Sequence, residues 1–325
     1  MTLMSYEKHY NVTSHKDLLG KLRVFAVAQG WVQDDYQTNV EWADDGGWDW
    51  QTGTSDFLQL SSTGNGLQDI IVRFLFEGTG VDPLAEECYV RGIYPGYGTP
   101  AAISTNPVDQ NDYSGTVYIR ATSLPSGTIP TLWLFGSEKY ILVIAEVTAG
   151  IVLSWYFGSI DLFDSTETQG LMVRPCCIGS GETHVPKWNN MASWPYLWEL
   201  PFYMQYGSYQ PPYTYWESSQ LENDNHIRTN CSFTSADAVG VSGGPRLESA
   251  VCLNTFSGKR PLIKPLMYFK DPVTEFWHPI GTYPIYCIEF SGLTVGQELL
   301  YGSEKYLAFP NIDINRKYGI AVRVV

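Results

Sequence analysis

"LFGSEKYILVI" runs from Leu134 to Ile144, and "LYGSEKYLAFP" from Leu300 to Pro310. The same five residues, GSEKY, stand twice in one chain, each time behind an aromatic residue and ahead of an apolar run. Gly, Ser and Glu suit a tight connection, the Lys ammonium stays in water, and Tyr opens a strand. That strand continues with Ile141, Leu142, Val143 and Ile144 in one copy and with Leu307, Ala308 and Phe309 in the other. Each copy reads as a turn delivering a strand, so the chain is expected to be built mainly from β-structure.

Working outward, the neighbouring segments carry the same signal. "DFLQLSS" and "DIIVRFLFEG" flank "TGNG" and read as a hairpin, and "ECYVRGIYPG", "GTVYIRA", "TLWLFG", "KYILVIAEV" and "IVLSWYFGSIDLF" continue as short strands divided by Gly, Pro, Asn and Asp. No helical segments alternate with them, which argues for antiparallel sandwich or barrel-like domains. One helix is expected, in "TSHKDLLGKLRVFAVAQGW". Ser14 caps it with Asp17 three residues on, Leu18, Leu19, Leu22, Phe25 and Ala26 form its packed face, and Gly30 stops it.

The expected organisation is an N-terminal helical segment (1–40), a first β-domain (41–171), an aromatic and Pro-rich arm or insertion (172–265) and a C-terminal β-domain (266–325). The arm contains "PKWNNMASWPYLWELPFYMQYGSYQPPYTYWESS", which has neither helical nor strand periodicity. Disordered segments avoid aromatics, so this one is expected to become rigid by laying rings on another surface. Trp188, Trp194, Tyr196, Trp198, Tyr203, Tyr206, Tyr213, Tyr215 and Trp216 are its candidate interface residues. The last segment, "YGIAVRVV", alternates Ile320, Val322 and Val324 with Gly319, Ala321 and Arg323, and is expected to pair inside a sheet.

Composition narrows the function classes. The chain has 325 residues, a formal net charge of −14, and 34 acids against 20 scattered Lys and Arg. Nucleic acid binding calls for a clustered basic face, so no nucleic acid partner is expected, and the acidic surface repels anionic membranes. The N-terminus lacks the apolar core of a secretory signal, and no stretch reaches the roughly 20 apolar residues of a membrane helix. Cys88, Cys176, Cys177, Cys231, Cys252 and Cys287 form no CxxC pair, and buried thiols in a reducing compartment are expected.

Motifs for chemistry are sparse. "STGNGLQD" and "FEGTG" lack the Lys-Ser/Thr of a phosphate loop and open no helix, so they read as turns. His9, His15, His184, His226 and His278 include no i, i+4 pair, and Ser242 in "SGGP" is not a nucleophile elbow. No catalytic residue, metal ligand or cofactor is expected. The acids Glu41, Asp44, Asp45, Asp49, Glu217 and Glu275 lie near tryptophans. Trp42, Trp48 and Trp50 would serve as stacking platforms if the chain bound a host-surface glycan. A glycan hydrolase would need two carboxylates about 5 Å or about 6.5 to 9.5 Å apart across a cleft. A solvated acidic loop pinned by packed tryptophans accounts for the same residues.

The stretch "IPTLWLFGSEKYILVIAEVTAGIVLSWYFGSIDLFDSTETQGLMVRPCCIGSGE" resembles a segment of tailed-bacteriophage virion proteins, in which a YWFVA-type strand precedes a strand ending in YLG and then a PYPLxIGGS-like stretch. "KYILVIAEV", "SWYFGSIDLF" and "VRPCCIGSGE" fill those places. The closing "KYLAFPNIDINRKYGIAVRVV" is similar to a virion C-terminus of the type YLVFPN, and "KDLLGKLRVFAVAQGW" looks like the N-terminal helix of such proteins. Cys176 and Cys177 depart from the usual aromatic and apolar pair, and the aromatic arm has no match. The resemblance implies a non-enzymatic structural protein of the tail or neck, assembled in the host cytoplasm into the virion. Its partners would be other copies of itself and neighbouring virion proteins, with a glycan as the alternative ligand.

Overall fold

In the computed structural model the described residues are 4–42, 53–62, 70–78, 87–93, 117–121, 128–158, 161–163, 171–173, 176–179, 204–206, 227–229, 259–264, 266–270, 277–282, 284–310 and 318–324. They are mainly strands in antiparallel sheets, with one short helix. In chain order the elements are β1 (Ser5–Val12), α1 (His15–Ala28), β2 (Val32–Trp42), β3 (Gly53–Ser62), β4 (Ile70–Gly78), β5 (Glu87–Ile93), β6 (Val117–Ala121), β7 (Ile129–Gly136), β8 (Tyr140–Thr148), β9 (Ile151–Gly158) and β10 (Asp161–Leu162). There follow β11 (Leu171–Val173), β12 (Cys176–Gly179), β13 (Met204–Tyr206), β14 (Ile227–Thr229), β15 (Leu266–Lys270), β16 (Trp277–Thr282), β17 (Ile285–Glu289), β18 (Gln297–Tyr301), β19 (Glu304–Pro310) and β20 (Tyr318–Val324).

Three sheets carry most of this. Their strand orders are β1-β7-β8-β9-β12, β17-β20-β19-β18 and β2-β3-β4-β5-β6. The expected hairpin around "TGNG" is the β3–β4 pair, with Ser62 opposite Ile70. "IVLSWYFGSIDLF", expected as one strand, is divided: β9 ends at Gly158, and β10 belongs to a separate sheet beside β16. Two strands not expected from the sequence, β1 and β2, flank the helix. The second runs across residue 40, where the first segment boundary was expected.

The helix forms as its sequence dictates. Ser14 Oγ accepts the Asp17 amide at 3.1 Å, and Asp17 returns a bond to the Thr13 amide at 3.0 Å. Leu18, Leu19, Leu22, Phe25 and Ala26 are all buried. Gly30, at φ +95°, takes the left-handed conformation that ends the helix. Burial opposes ionisation of Asp17, but the Lys21 ammonium at 2.5 Å and the Thr13 amide and hydroxyl outweigh it, holding the carboxyl below its usual value.

The two GSEKY copies form hairpins in different registers. In the first, Gly136 is still in β7 opposite Ile141, the Ser137 amide donates to the Tyr140 carbonyl, and Glu138 and Lys139 make the tip. In the second, Tyr301 stands opposite Glu304, and Gly302 (φ +65°) and Ser303 make the tip. Glu304, expected in the connection, is therefore a strand residue, and the strand opens before the Tyr. Because the tip moves by two residues, side-chain parity is kept, and both Tyr140 and Tyr306 remain buried.

The two hairpins meet through their rings. Phe309 of β19 lies edge-on to Trp133 (5.1 Å) and Phe135 (5.7 Å) of β7, and Tyr6 of β1 stacks on Phe135 at 5.8 Å. Met4 and Val324 form an isolated parallel bridge. Apart from Pro130, every residue of β7 is buried, because α1 adjoins one side, where Phe25 approaches Gly136, and Phe309 occupies the other. As expected, β20 is paired, lying between β17 and β19. On its Gly319–Ala321–Arg323 face Gly319 and Ala321 are buried, and Arg323 is partly exposed.

Candidate functional site

A cluster of polar and aromatic side chains lies on the face of the C-terminal sheet opposite to Phe309, around the second GSEKY copy. Tyr306 meets Tyr286 and Tyr301 edge-on, at 5.3 Å and 5.6 Å between ring centroids. Tyr306, 2% exposed, belongs to a core with Ile288, Phe290, Leu293, Ala308 and Ala321, and Tyr286, Tyr301, Leu262 and Leu299 pack against it. Strand alternation places them there: Tyr301 stands opposite Glu304 and Leu299 opposite Tyr306, so these four share one face.

The polar tips are bonded within the cluster. The Tyr306 hydroxyl donates to Glu304 Oε2 at 2.5 Å, and Arg323 Nη2 holds Glu304 Oε1 at 2.7 Å. The Tyr301 hydroxyl donates to the Arg260 carbonyl at 2.6 Å, and Arg260 Nη2 donates to the Ser291 carbonyl at 2.6 Å. Residues 259–264 thus lie across the sheet, anchored further by the paired main-chain bonds between Ile263 and Cys287. Burial raises the Tyr306 hydroxyl well above its usual pKa, reinforced by the Glu304 carboxylate. Burial likewise raises Tyr286 and Tyr301. All three stay protonated near neutrality, and Glu304, with both oxygens engaged, is a structural acceptor.

On the opposite face of the sheet, β18, an edge strand in the strand order, carries Leu300, which is 72% exposed. Glu298 and Lys305 pair across β18 and β19 at 2.5 Å. Leu300, exposed on an edge strand beside that ion pair, is the feature of this region open to a protein contact. Sequence reasoning did not single out this cluster. The available signal was Tyr306 inside the repeat itself.

Most residues proposed from sequence fall elsewhere. Trp48 and Trp50 lie outside the described residues, and Trp42 is the last residue of β2. Of the arm, Tyr206 is the last residue of β13, paired with Leu171, while Trp188, Trp194, Tyr196, Trp198, Tyr203, Tyr213, Tyr215 and Trp216 lie outside the described residues. Of the acids, Glu41 is in β2, and Asp44, Asp45, Asp49, Glu217 and Glu275 lie outside. Cys176 and Cys177 are successive residues of β12, and Cys287 is a buried free thiol. Among the described residues no three His, Cys, Asp or Glu side chains gather as a metal site, and no helix is long and apolar enough to cross a membrane.

No protein-family model matches the chain, and no curated protein matches it.

Proposed function

We propose that this chain is a structural component of a bacteriophage virion, several copies of which assemble through protein contacts into the tail or neck as a collar, a ring, or a fibre or baseplate attachment point. The reading rests first on the resemblance carried by the segment around Leu134–Ile144 and by the closing "KYLAFPNIDINRKYGIAVRVV". In this reading two antiparallel sandwich or barrel-like domains hold an extended aromatic arm whose rings seat on neighbouring subunits.

The observation that supports it is the exposed Leu300 on edge strand β18, beside the Glu298–Lys305 ion pair. On the other face of the sheet the Tyr301 and Tyr306 hydroxyls and the Glu304 carboxylate are spent on internal bonds, as suits packing rather than chemistry. Sedimentation of the purified full-length chain, as wild type and as Leu300→Asp, tests the proposal. Wild type should self-associate, and Leu300→Asp should raise the dissociation constant about tenfold or more, as burying a charge at a contact does. A strictly monomeric wild type, absent from purified particles, removes it.

A further inference from the structure

We propose that β18 is the strand through which two copies of this chain join, pairing antiparallel with the β18 of a second copy about a two-fold axis at Leu300. Two four-stranded sheets then become one continuous sheet. This contact rests on the reading of the chain as a self-assembling structural protein, and it specifies which strand of that protein meets which.

An unprotected sheet edge is a template for another strand, and chains blunt their edges with bulges, charges or covering segments. Three edges of this molecule show those devices. The pairing of β2 is irregular at two places, β1 exposes Glu7 and Lys8, and β17 is covered by residues 259–264 through the paired main-chain bonds between Ile263 and Cys287. Along Gln297–Tyr301, β18 has none of them. Its pairing with β19 is regular throughout, and its one charge, Glu298, is neutralised by Lys305 at 2.5 Å. The side chain that stands out from it is the apolar Leu300.

The hairpin geometry selects the occupant and its register. Tyr301 and Glu304 close a two-residue tip, so they exchange main-chain bonds with each other. By alternation Leu299 and Gln297 also bond to β19, while Glu298 and Leu300 turn their N–H and C=O groups outward, toward an incoming strand. A two-fold axis at Glu298 would set carboxylate against carboxylate. One at Leu299 would set each Glu298 against a Leu300. An axis at Leu300 sets Leu300 against Leu300, Leu299 against Tyr301 and Glu298 against Gly302, so apolar residues meet apolar or aromatic ones and no like charges face each other. The exposed leucine of each copy is then covered by its own counterpart, which makes the strand complementary to itself.

Cross-linking and sedimentation of the full-length chain test this. Opposed residues that exchange main-chain bonds have Cα atoms about 5.5 Å apart, within disulfide range, so Leu300→Cys should form a bond between the two positions 300. Glu298→Cys stands about 13 Å along the strand from its counterpart and should not. After mild oxidation over a concentration series, Leu300→Cys should give at least about tenfold more covalent dimer than Glu298→Cys, with the 300–300 linkage identified by mass spectrometry. Leu300→Pro removes an outward N–H and leaves the bonds to β19 in place, so it should abolish association while the circular dichroism stays that of wild type. If wild type self-associates but no 300–300 bond forms, or if Leu300→Pro associates as wild type does, the proposal is overturned and the structural-protein reading stands. A bond from position 300 to a native cysteine instead overturns it as well. A wild type that stays monomeric also overturns it, and the reading beneath it falls too if the chain is absent from purified particles.

Discussion

Phe309→Ala measures how strongly the two GSEKY hairpins depend on each other. Phe309 is fully buried and touches Trp133 and Phe135 edge-on. Truncating a buried Phe to Ala costs about 3 to 5 kcal/mol, the larger values arising where neighbours cannot close the cavity. Closure is hindered here: Trp133 packs against Gly296, where a Cβ would stand 2.9 Å from the ring, and Phe135 is held by the Tyr6 ring. The expected loss is therefore in the upper half of that range, about 4 to 5 kcal/mol. Urea unfolding of wild type and variant gives the total. Hydrogen exchange read separately over residues 129–148 and 285–324 shows where it is felt, and both segments should lose protection together. A loss under about 1 kcal/mol, far below a buried Phe, would refute the reasoning, as would a loss of protection confined to 285–324.

Gly296→Ala and Gly302→Ala form a matched pair, since both glycines have positive φ but only Gly296 faces a ring. The first should cost about 2 to 4 kcal/mol and the second about 1 to 2 kcal/mol in chemical denaturation, the difference being the Trp133 overlap. Trp31→Phe removes the buried donor to the Ser137 carbonyl and should cost about 1 to 3 kcal/mol, measured as a lowered urea midpoint at unchanged slope. Tyr306 has a raised pKa in the folded chain, so its contribution is complete below the unfolded tyrosine value and is lost as pH rises past it. Stability should fall by up to about 1.4 kcal/mol per pH unit above about pH 10, and Tyr306→Phe should flatten that slope.

Local signals made the helix readable in full. A Ser cap, five apolar residues on one face and a stopping Gly are each sufficient within a few residues of chain, and all five apolar residues are buried. Strands β3 to β9 were legible for the same reason, being apolar runs between turn residues. Strand β1, "SYEKHYNV", was not, because it lies at a sheet edge and most of its residues face water. The hairpin registers could not be read at all, since identical residues take two tips. Trp31 and Ser62 hold one tip from distant points in the chain, while the Glu298–Lys305 pair joins the strands of the other. The tyrosine cluster was hidden likewise: Tyr286, Tyr301 and Tyr306 come together only when β17, β20, β19 and β18 pair in that order. The proposed interface of arm residues Trp188 to Trp216 falls almost wholly outside the described residues, so its geometry plays no part in the site.

The central claim, that the chain is a virion structural protein, is tested most directly by quantitative mass spectrometry of purified particles of the phage that encodes it. The account predicts a fixed stoichiometry of several copies per particle, consistent with a symmetric ring or attachment point, and its loss from particles carrying Leu300→Asp. Particles that assemble and infect without this chain would contradict it.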